Sequence, residues 1–208
     1  MSDTKQRILD TAVRLIAEQG YAATSLRHII AEAGVNLAAI HYHFGSKEEL
    51  LEEIIGQKAA WVNAERMARL DKVEREAGDT PPSVEKVLEA FLTPMGEAAD
   101  GNPLIVQFIG RLMAEGLWPG VVRNHFEGII ARLVAVMRRA LPDLPEDEFA
   151  WRMHFMSGTI VQTMCGIRHF PNLGAIEGDF QSRIGRLITF LSAGFRAPAT
   201  IEAKSEDK

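Results

Sequence analysis

Thr24-Ser-Leu-Arg-His-Ile-Ile-Ala-Glu-Ala-Gly-Val-Asn-Leu-Ala-Ala-Ile-His-Tyr-His-Phe-Gly-Ser-Lys-Glu-Glu-Leu50 reads as two short helices, a tight turn between them, and a third helix with its own cap. Thr24 caps a helix over 25–33. Gly34 supplies the turn, and Asn36 caps a second helix over 37–44. Ser46-Lys-Glu-Glu49 is a capping box, with hydroxyl and carboxylate three residues apart, and it opens the next helix. Two short helices on a glycine turn form a helix-turn-helix, a device that lays its second helix in the major groove of DNA.

The pattern continues on both sides. Upstream, Asp3 and Gln6 are spaced as a cap, and Ile8, Leu9, Ala12, Val13 and Ile16 form the stripe of a helix that Gly20 ends. Tyr21 and Leu26 belong to the core of the same small unit. Downstream, Leu50, Leu51, Ile54, Ile55 and Trp61 extend the capped helix to about residue 73, long enough to join a reader rigidly to a body. Gly78-Asp-Thr-Pro-Pro-Ser83, Asp100-Gly-Asn-Pro103, Pro142-Asp-Leu-Pro145 and Pro171-Asn-Leu-Gly174 break the rest into helices over 84–99, 104–115, 119–141, 146–169 and 179–195. The expectation is an all-α chain of about nine helices. A helix-turn-helix domain covers 1–50, a larger helical body 51–196 and a loose polar tail 197–208.

Composition fits such a chain: 47% apolar and 25% charged residues over 208 positions. The net charge of −5, with five Lys/Arg against six Asp/Glu in residues 1–50, gives no basic footprint. DNA affinity must then come from a local positive face built by Arg27, Lys47 and helix N-termini. One cysteine, Cys165, excludes an intrachain disulfide. The start lacks a signal-peptide core and no apolar run approaches a membrane span, so a cytoplasmic protein without a membrane partner is expected. No cofactor is implied. No metal site is expected either: His41 and His43 at i and i+2 diverge by about 200° on a helix. Cys165 and His169 share a face, but no second thiol or nearby carboxylate joins them. No nucleophile motif, phosphate loop or carboxylate pair suggests an enzyme.

Thr24, Ser25, Ile30, Ala31, Ala33-Gly34-Val35 and Ile40-His-Tyr-His-Phe-Gly-Ser-Lys-Glu-Glu-Leu50 together resemble the tetracycline-repressor (TetR) family of bacterial transcriptional regulators. The aromatic cluster Tyr42-His43-Phe44, the small cap and Lys47 carry most of the resemblance, which covers residues 4–55. It implies that Thr24 and Ser25 meet phosphate, that Arg27 reaches a guanine and that Asn36, Leu37, Ala39 and His41 face the groove. Tyr42, His43 and Lys47 would contact the flanking backbone, and Phe44 would pack in the core. Leu37, Ala38 and Ala39 stand where the family often has polar side chains, so apolar packing on thymine and DNA shape would contribute more to readout.

The resemblance also implies a homodimer built on the last two long helices, with a small-molecule pocket in the body. Along 146–169 and 179–195 the apolar stripes nominate Phe149, Met156, Ile160, Ile184, Leu187, Leu191 and Phe195 for the dimer contact. A core rich in methionine and aromatics nominates Trp61, Phe108, Met113, Trp118, Phe126 and Met137 for the pocket, with Arg111, His125, His154 and Gln162 as polar handles. The expected protein is a dimeric repressor that binds a palindromic operator as double-stranded DNA. A largely hydrophobic effector, such as an acyl chain or aromatic compound, would release it. The alternative is an α-helical carrier of a hydrophobic ligand without DNA binding.

Overall fold

A computed structural model describes residues 3–36, 44–116, 123–165 and 178–200. Among them lie eight helices and no strand. They are α1 (Asp3–Gln19), α2 (Leu26–Ala33), α3 (Lys47–Ala77), α4 (Val84–Gly101), α5 (Pro103–Ala114), α6 (Arg123–Ala140), α7 (Glu146–Cys165) and α8 (Phe180–Arg196). The expected all-helical architecture is present. The helix expected over 37–44 lies almost wholly outside the described residues.

Local chemistry explains where the elements begin. The Ser46 hydroxyl accepts from Glu49 N at 3.0 Å while the Glu49 carboxylate accepts from Ser46 N at 3.0 Å, the reciprocal box that starts α3. Ser83, Asn102 and Asp179 cap α4, α5 and α8 more simply, each side-chain oxygen accepting from a first-turn N–H. Pro103 occupies the first turn of α5, where its missing N–H costs nothing.

Helix α4 is the centre of the body and packs on α3, α5, α6 and α8. Helix α7 lies on α5, and α6 lies along α3. At 31 residues, α3 is roughly 46 Å long, from a rise of 1.5 Å per residue. Ion pairs stitch it to its neighbours. Arg132 of α6 meets Asp71 at 2.6 Å and also Glu74, Arg139 meets Glu74 at 3.2 Å, and Arg69 meets Glu97 of α4 at 2.7 Å.

Contacts run across both boundaries expected from the sequence. The division after residue 50 is not a break in packing. Helix α1 buries Ile8, Leu9, Ala12, Val13, Leu15 and Ile16, packs on both α2 and α5, and joins one contiguous core that runs through to Phe195. A stripe that wide needs more apolar surface than two short helices offer, and α5 supplies it. The tail is also not loose at its start. The Arg152 guanidinium donates to the carbonyls of Phe195, Ala197 and Pro198 at 2.9, 2.8 and 3.0 Å, and Glu148 accepts from Thr200 N at 2.6 Å. Residues 201–208 lie outside the described set.

Candidate nucleic-acid interface and internal cavity

Residues 20–50 begin with a built turn. Ser25 caps α2 by accepting from His28 N at 3.1 Å, which leaves its own O–H free to donate outward. At the other end Gly34 takes φ 62° and ψ 38°, a left-handed position that costs a side-chain-bearing residue about 1 kcal/mol or more. Its N–H and that of Val35 return to Ala31 and Ile30 carbonyls, so α2 ends with its carbonyls satisfied. Ile29 is fully buried, and Ile30, Ala33 and Val35 lean on the same core. This leaves Arg27 on the outer face, exposed, with no acid in ion-pair reach among the described residues.

The expected DNA contacts divide under this geometry. Ser25, Arg27 and Asn36 are exposed. Thr24 is a correction: it is buried, and its hydroxyl donates to Gly20 O at 2.8 Å, so it fastens the turn and presents nothing outward. Lys47 is a second correction. Its ammonium donates to Tyr21 O, lies 3.7 Å from the Tyr21 ring centroid and is half-buried. Burial lowers its pKa, with Glu48 and Glu115 opposing. Lys47 therefore clamps the α1–α2 turn to the start of α3. Phe44, expected in the core, is buried. Leu37, Ala39, His41, Tyr42 and His43 lie outside the described residues.

The same turn is held from the body. Glu115, just past α5, accepts from Tyr21 N at 3.1 Å and Ala22 N at 3.2 Å. Tyr21 Oη donates to Glu48 at 3.0 Å. Burial and that carboxylate push the phenol up to about 12, so it stays a donor at any ordinary pH. Tyr21, Lys47, Glu48 and Glu115 thus form a polar joint between reader and body. The sequence held no spacing signal for it, because the partners are up to 94 positions apart.

Behind the joint, a cavity of about 410 Å³ lies between α3, α4, α5, α6 and α7, within the roughly 300–1,000 Å³ range of small-molecule sites. Met113, Phe126, Ile130, Val134, Met153 and Ile160 are typical of its wall. A lobe of about 50 Å³, bounded by Lys58, Ala59, Val62 and Met95, adjoins it across Arg66, Ile109, Phe126 and Met164.

Of the ten expected pocket residues, Met113 and Phe126 line the cavity. Trp118 lies outside the described residues. Trp61 is 49% exposed on the outer side of α3, and Phe108 and Met137 are fully buried in solid core. Arg111 and Gln162 do not line it, and Gln162 is exposed. His125 faces Glu52 at 2.9 Å, and its backbone carbonyl accepts from Asn63. His154 is exposed, edge-on to Trp151. Residue type alone could not separate wall from core, because both are apolar.

The residues expected at the dimer contact pack inside the protomer. Phe149, Met156, Ile160, Ile184, Leu187, Leu191 and Phe195 are all buried within the protomer, and Met156 and Ile160 line the cavity. The outward apolar side chains of α7 and α8 are Trp151, Phe155 and Phe190, which are 59%, 61% and 67% exposed. Trp151 stacks on Phe155 with ring centroids 5.7 Å apart.

One approach fixes the cavity's floor. A methyl group on Gly110 of α5 would stand 2.8 Å from Met164 Cβ and 3.0 Å from Cys165 N, so α5 and α7 touch almost backbone to backbone. Gly110→Ala is expected to lose about 2 kcal/mol, in line with overpacking elsewhere. Denaturant unfolding measures it, and an unchanged midpoint would show that the crossing has slack. The Cys165 thiol beside it is half-buried, and burial raises its pKa.

Arg66 is the site residue that the sequence reading missed. Along α3 the buried positions Ile55, Ala59, Arg66, Leu70 and Val73 recur at helical spacing, with Val62 half-buried between them. A charged residue in phase with that stripe was the available signal. Arg66 is 6% exposed, its Nε donates to Phe91 O at 2.8 Å, and its guanidinium lies 4.2 Å from the Phe91 ring centroid.

Similarity to known proteins follows this division. Residues 8–54 match the model of bacterial regulatory proteins, tetR family, and residues 85–194 match that of the tetracyclin repressor-like C-terminal domain. The chain is 35% identical over 147 residues to the uncharacterized HTH-type transcriptional regulator YerO of Bacillus subtilis, covering 68% of this chain and 46% of that protein. It is 48% identical over 52 residues to the HTH-type transcriptional regulator AcrR of Shigella flexneri, covering 25% of this chain and 24% of that one. The alignments thus span less than half the length of these two curated relatives. A solved structure of a tetR-family regulatory protein from Rhodococcus RHA1 shares the fold, with a TM-score of 0.63 at 19% identity, covering 96% of this chain and all of that one. Among the described residues no helix is long and apolar enough to cross a membrane. With a matching helix-turn-helix at one end and a matching body over more than half its length, the chain belongs to the TetR family of helix-turn-helix, DNA-binding transcriptional regulators.

Proposed function

We propose that the protein is a homodimeric repressor that binds a palindromic operator and lets go when a small molecule occupies the 410 Å³ cavity. The observation that carries this reading is the polar joint. Glu115, at the end of a cavity-lining helix, holds the Tyr21 and Ala22 amides of the reader. A ligand that shifts α5 therefore shifts the turn that positions α2. It changes DNA affinity only to the extent that it prefers one arrangement over the other, and about 1.4 kcal/mol of preference is a tenfold change.

The dimer supplies the spacing. Two readers related by a two-fold axis match half-sites one helical turn apart, about 34–36 Å, or a multiple of it. Trp151 and Phe155 form an exposed apolar patch on α7 and Phe190 is exposed on α8, side chains of the kind that mark an association surface, and Gly158 and Gly194 of the same two helices have open space where a side chain would stand. A second copy is the occupant that the family's body fold favours.

The experiment is selection of bound duplexes from a random pool at near-physiological salt, with Arg27→Ala alongside. An enriched palindrome is expected, with Arg27→Ala weakening it by about 1–3 kcal/mol and relaxing the base preference at one position per half-site. A pool that stays random, or a variant that binds as wild type does, overturns the reading or the role of Arg27 respectively.

A further inference from the structure

We propose that the cavity ligand is an organic anion, a carboxylate carried on an apolar body, and that the Arg66 guanidinium receives the carboxylate. The proposal rests on the reading of the cavity as the effector site and adds the chemical class of the effector.

Arg66 stands where the two lobes of the cavity meet. Its partners in the protein are all neutral: Phe91 O at 2.8 Å, Asn63 Oδ1 at 3.3 Å and the face of the Phe91 ring. Among the described residues no carboxylate lies within ion-pair distance of it, and none of those that line the cavity is acidic. The other buried arginine, Arg152, has Glu148 at 3.1 Å, and the half-buried Arg69 and Arg132 each meet acids. Lys58 bounds the smaller lobe, so the described lining brings two cations and no anion. The rest of the wall is aliphatic, thioether and aromatic, with Ser157 as a hydroxyl.

A guanidinium removed from water without a counter-charge is costly. Burial alone pushes Arg66 down to about 10, still protonated at neutral pH. Folding has already met its desolvation cost, so an arriving carboxylate finds a planar cation held by Phe91 and Asn63, with its Nη2 group still to be paired. Part of the side chain is structural: Nε donates to the Phe91 carbonyl of α4. The Nη2 edge makes no hydrogen bond within the protein among the described residues and is the edge left for a ligand.

The test uses the full chain and matched probes: decanoate, 1-decanol and decylamine, with 2-naphthoate and 2-naphthylmethanol as a second body. Calorimetric titration should show at least one acid binding about tenfold or more tightly than its alcohol, as expected for a hydrogen bond to a buried charge, with decylamine weakest. Arg66→Gln should erase the preference for acid while keeping the affinity for alcohol, and Arg66→Lys should keep part of the preference. Equal binding of acid and alcohol by the wild-type protein overturns the proposal and leaves the cavity reading standing, as does an unchanged preference in Arg66→Gln. Failure of every probe to bind overturns both. The wild-type comparison decides the matter even if Arg66→Gln does not fold.

Discussion

A chain carrying Phe155→Glu and Phe190→Glu should remain folded, sediment as a monomer and lose DNA affinity by about 10²–10⁴-fold, the range by which linked binding of two sites exceeds single binding. Both side chains are more than 60% exposed in the protomer, so little core packing is lost and the melting temperature should move little. The carboxylates would instead meet their symmetry mates across a two-fold axis, where like charges in an apolar contact are excluded. Sedimentation equilibrium and DNA titration on the same sample separate the effects. A variant that stays dimeric places the interface elsewhere. A monomer that binds the palindrome as tightly as wild type removes the need for two-fold symmetry.

Arg152→Ala should be the most destabilising single substitution of a charged residue, at about 3 kcal/mol. The side chain is buried and serves three carbonyls that nothing else replaces, Phe195 at the end of α8 and then Ala197 and Pro198. It also compensates the negative end of that helix. Its truncation leaves those carbonyls without donors and Glu148 without its cation. Residues 197–200 should then become open to carboxypeptidase digestion well below the global melting temperature. Arg152→Lys keeps the charge but cannot fork to three acceptors, so most of the loss should remain. Thermal unfolding and timed proteolysis measure both. A loss under 1 kcal/mol would mean that the arginine only decorates an end already held by packing.

The fold was legible because its punctuation is chemical. Ser46 and Glu49, Gly34, Asn102 and Pro103 stand where caps and turns need them, and the element bounds follow within a few residues. The interface was legible where exposure follows from helical phase, as for Arg27 opposite Ile29. It was not legible at Thr24 and Lys47, whose polar atoms are spent on Gly20 and Tyr21. The same residue types serve both purposes, and only the tertiary contact decides between them. The residues expected at a dimer contact illustrate the same ambiguity. Helices α7 and α8 each carry two apolar faces, and the more regular stripe went to the protomer's own core. The weaker stripe, Trp151, Phe155 and Phe190, was left outside. Helix α3 gave the opposite case, in which Arg66 interrupts a buried stripe. A charge in that phase must be buried, and Arg66 is, against the Phe91 ring and carbonyl; only the cavity beside it brings a ligand into question.

In the proposed mechanism, cavity and reader share one equilibrium, joined through Glu115 and the Tyr21 turn. It is tested most directly by titrating the tightest-binding carboxylate probe into the free protein and into the protein saturated with its selected palindrome. Linkage requires the two effects to be reciprocal. Coupling through this joint predicts that DNA weakens ligand binding by the same factor by which the ligand weakens DNA binding. It also predicts that Glu115→Ala brings both factors toward one. Equal ligand affinity with and without DNA would contradict it.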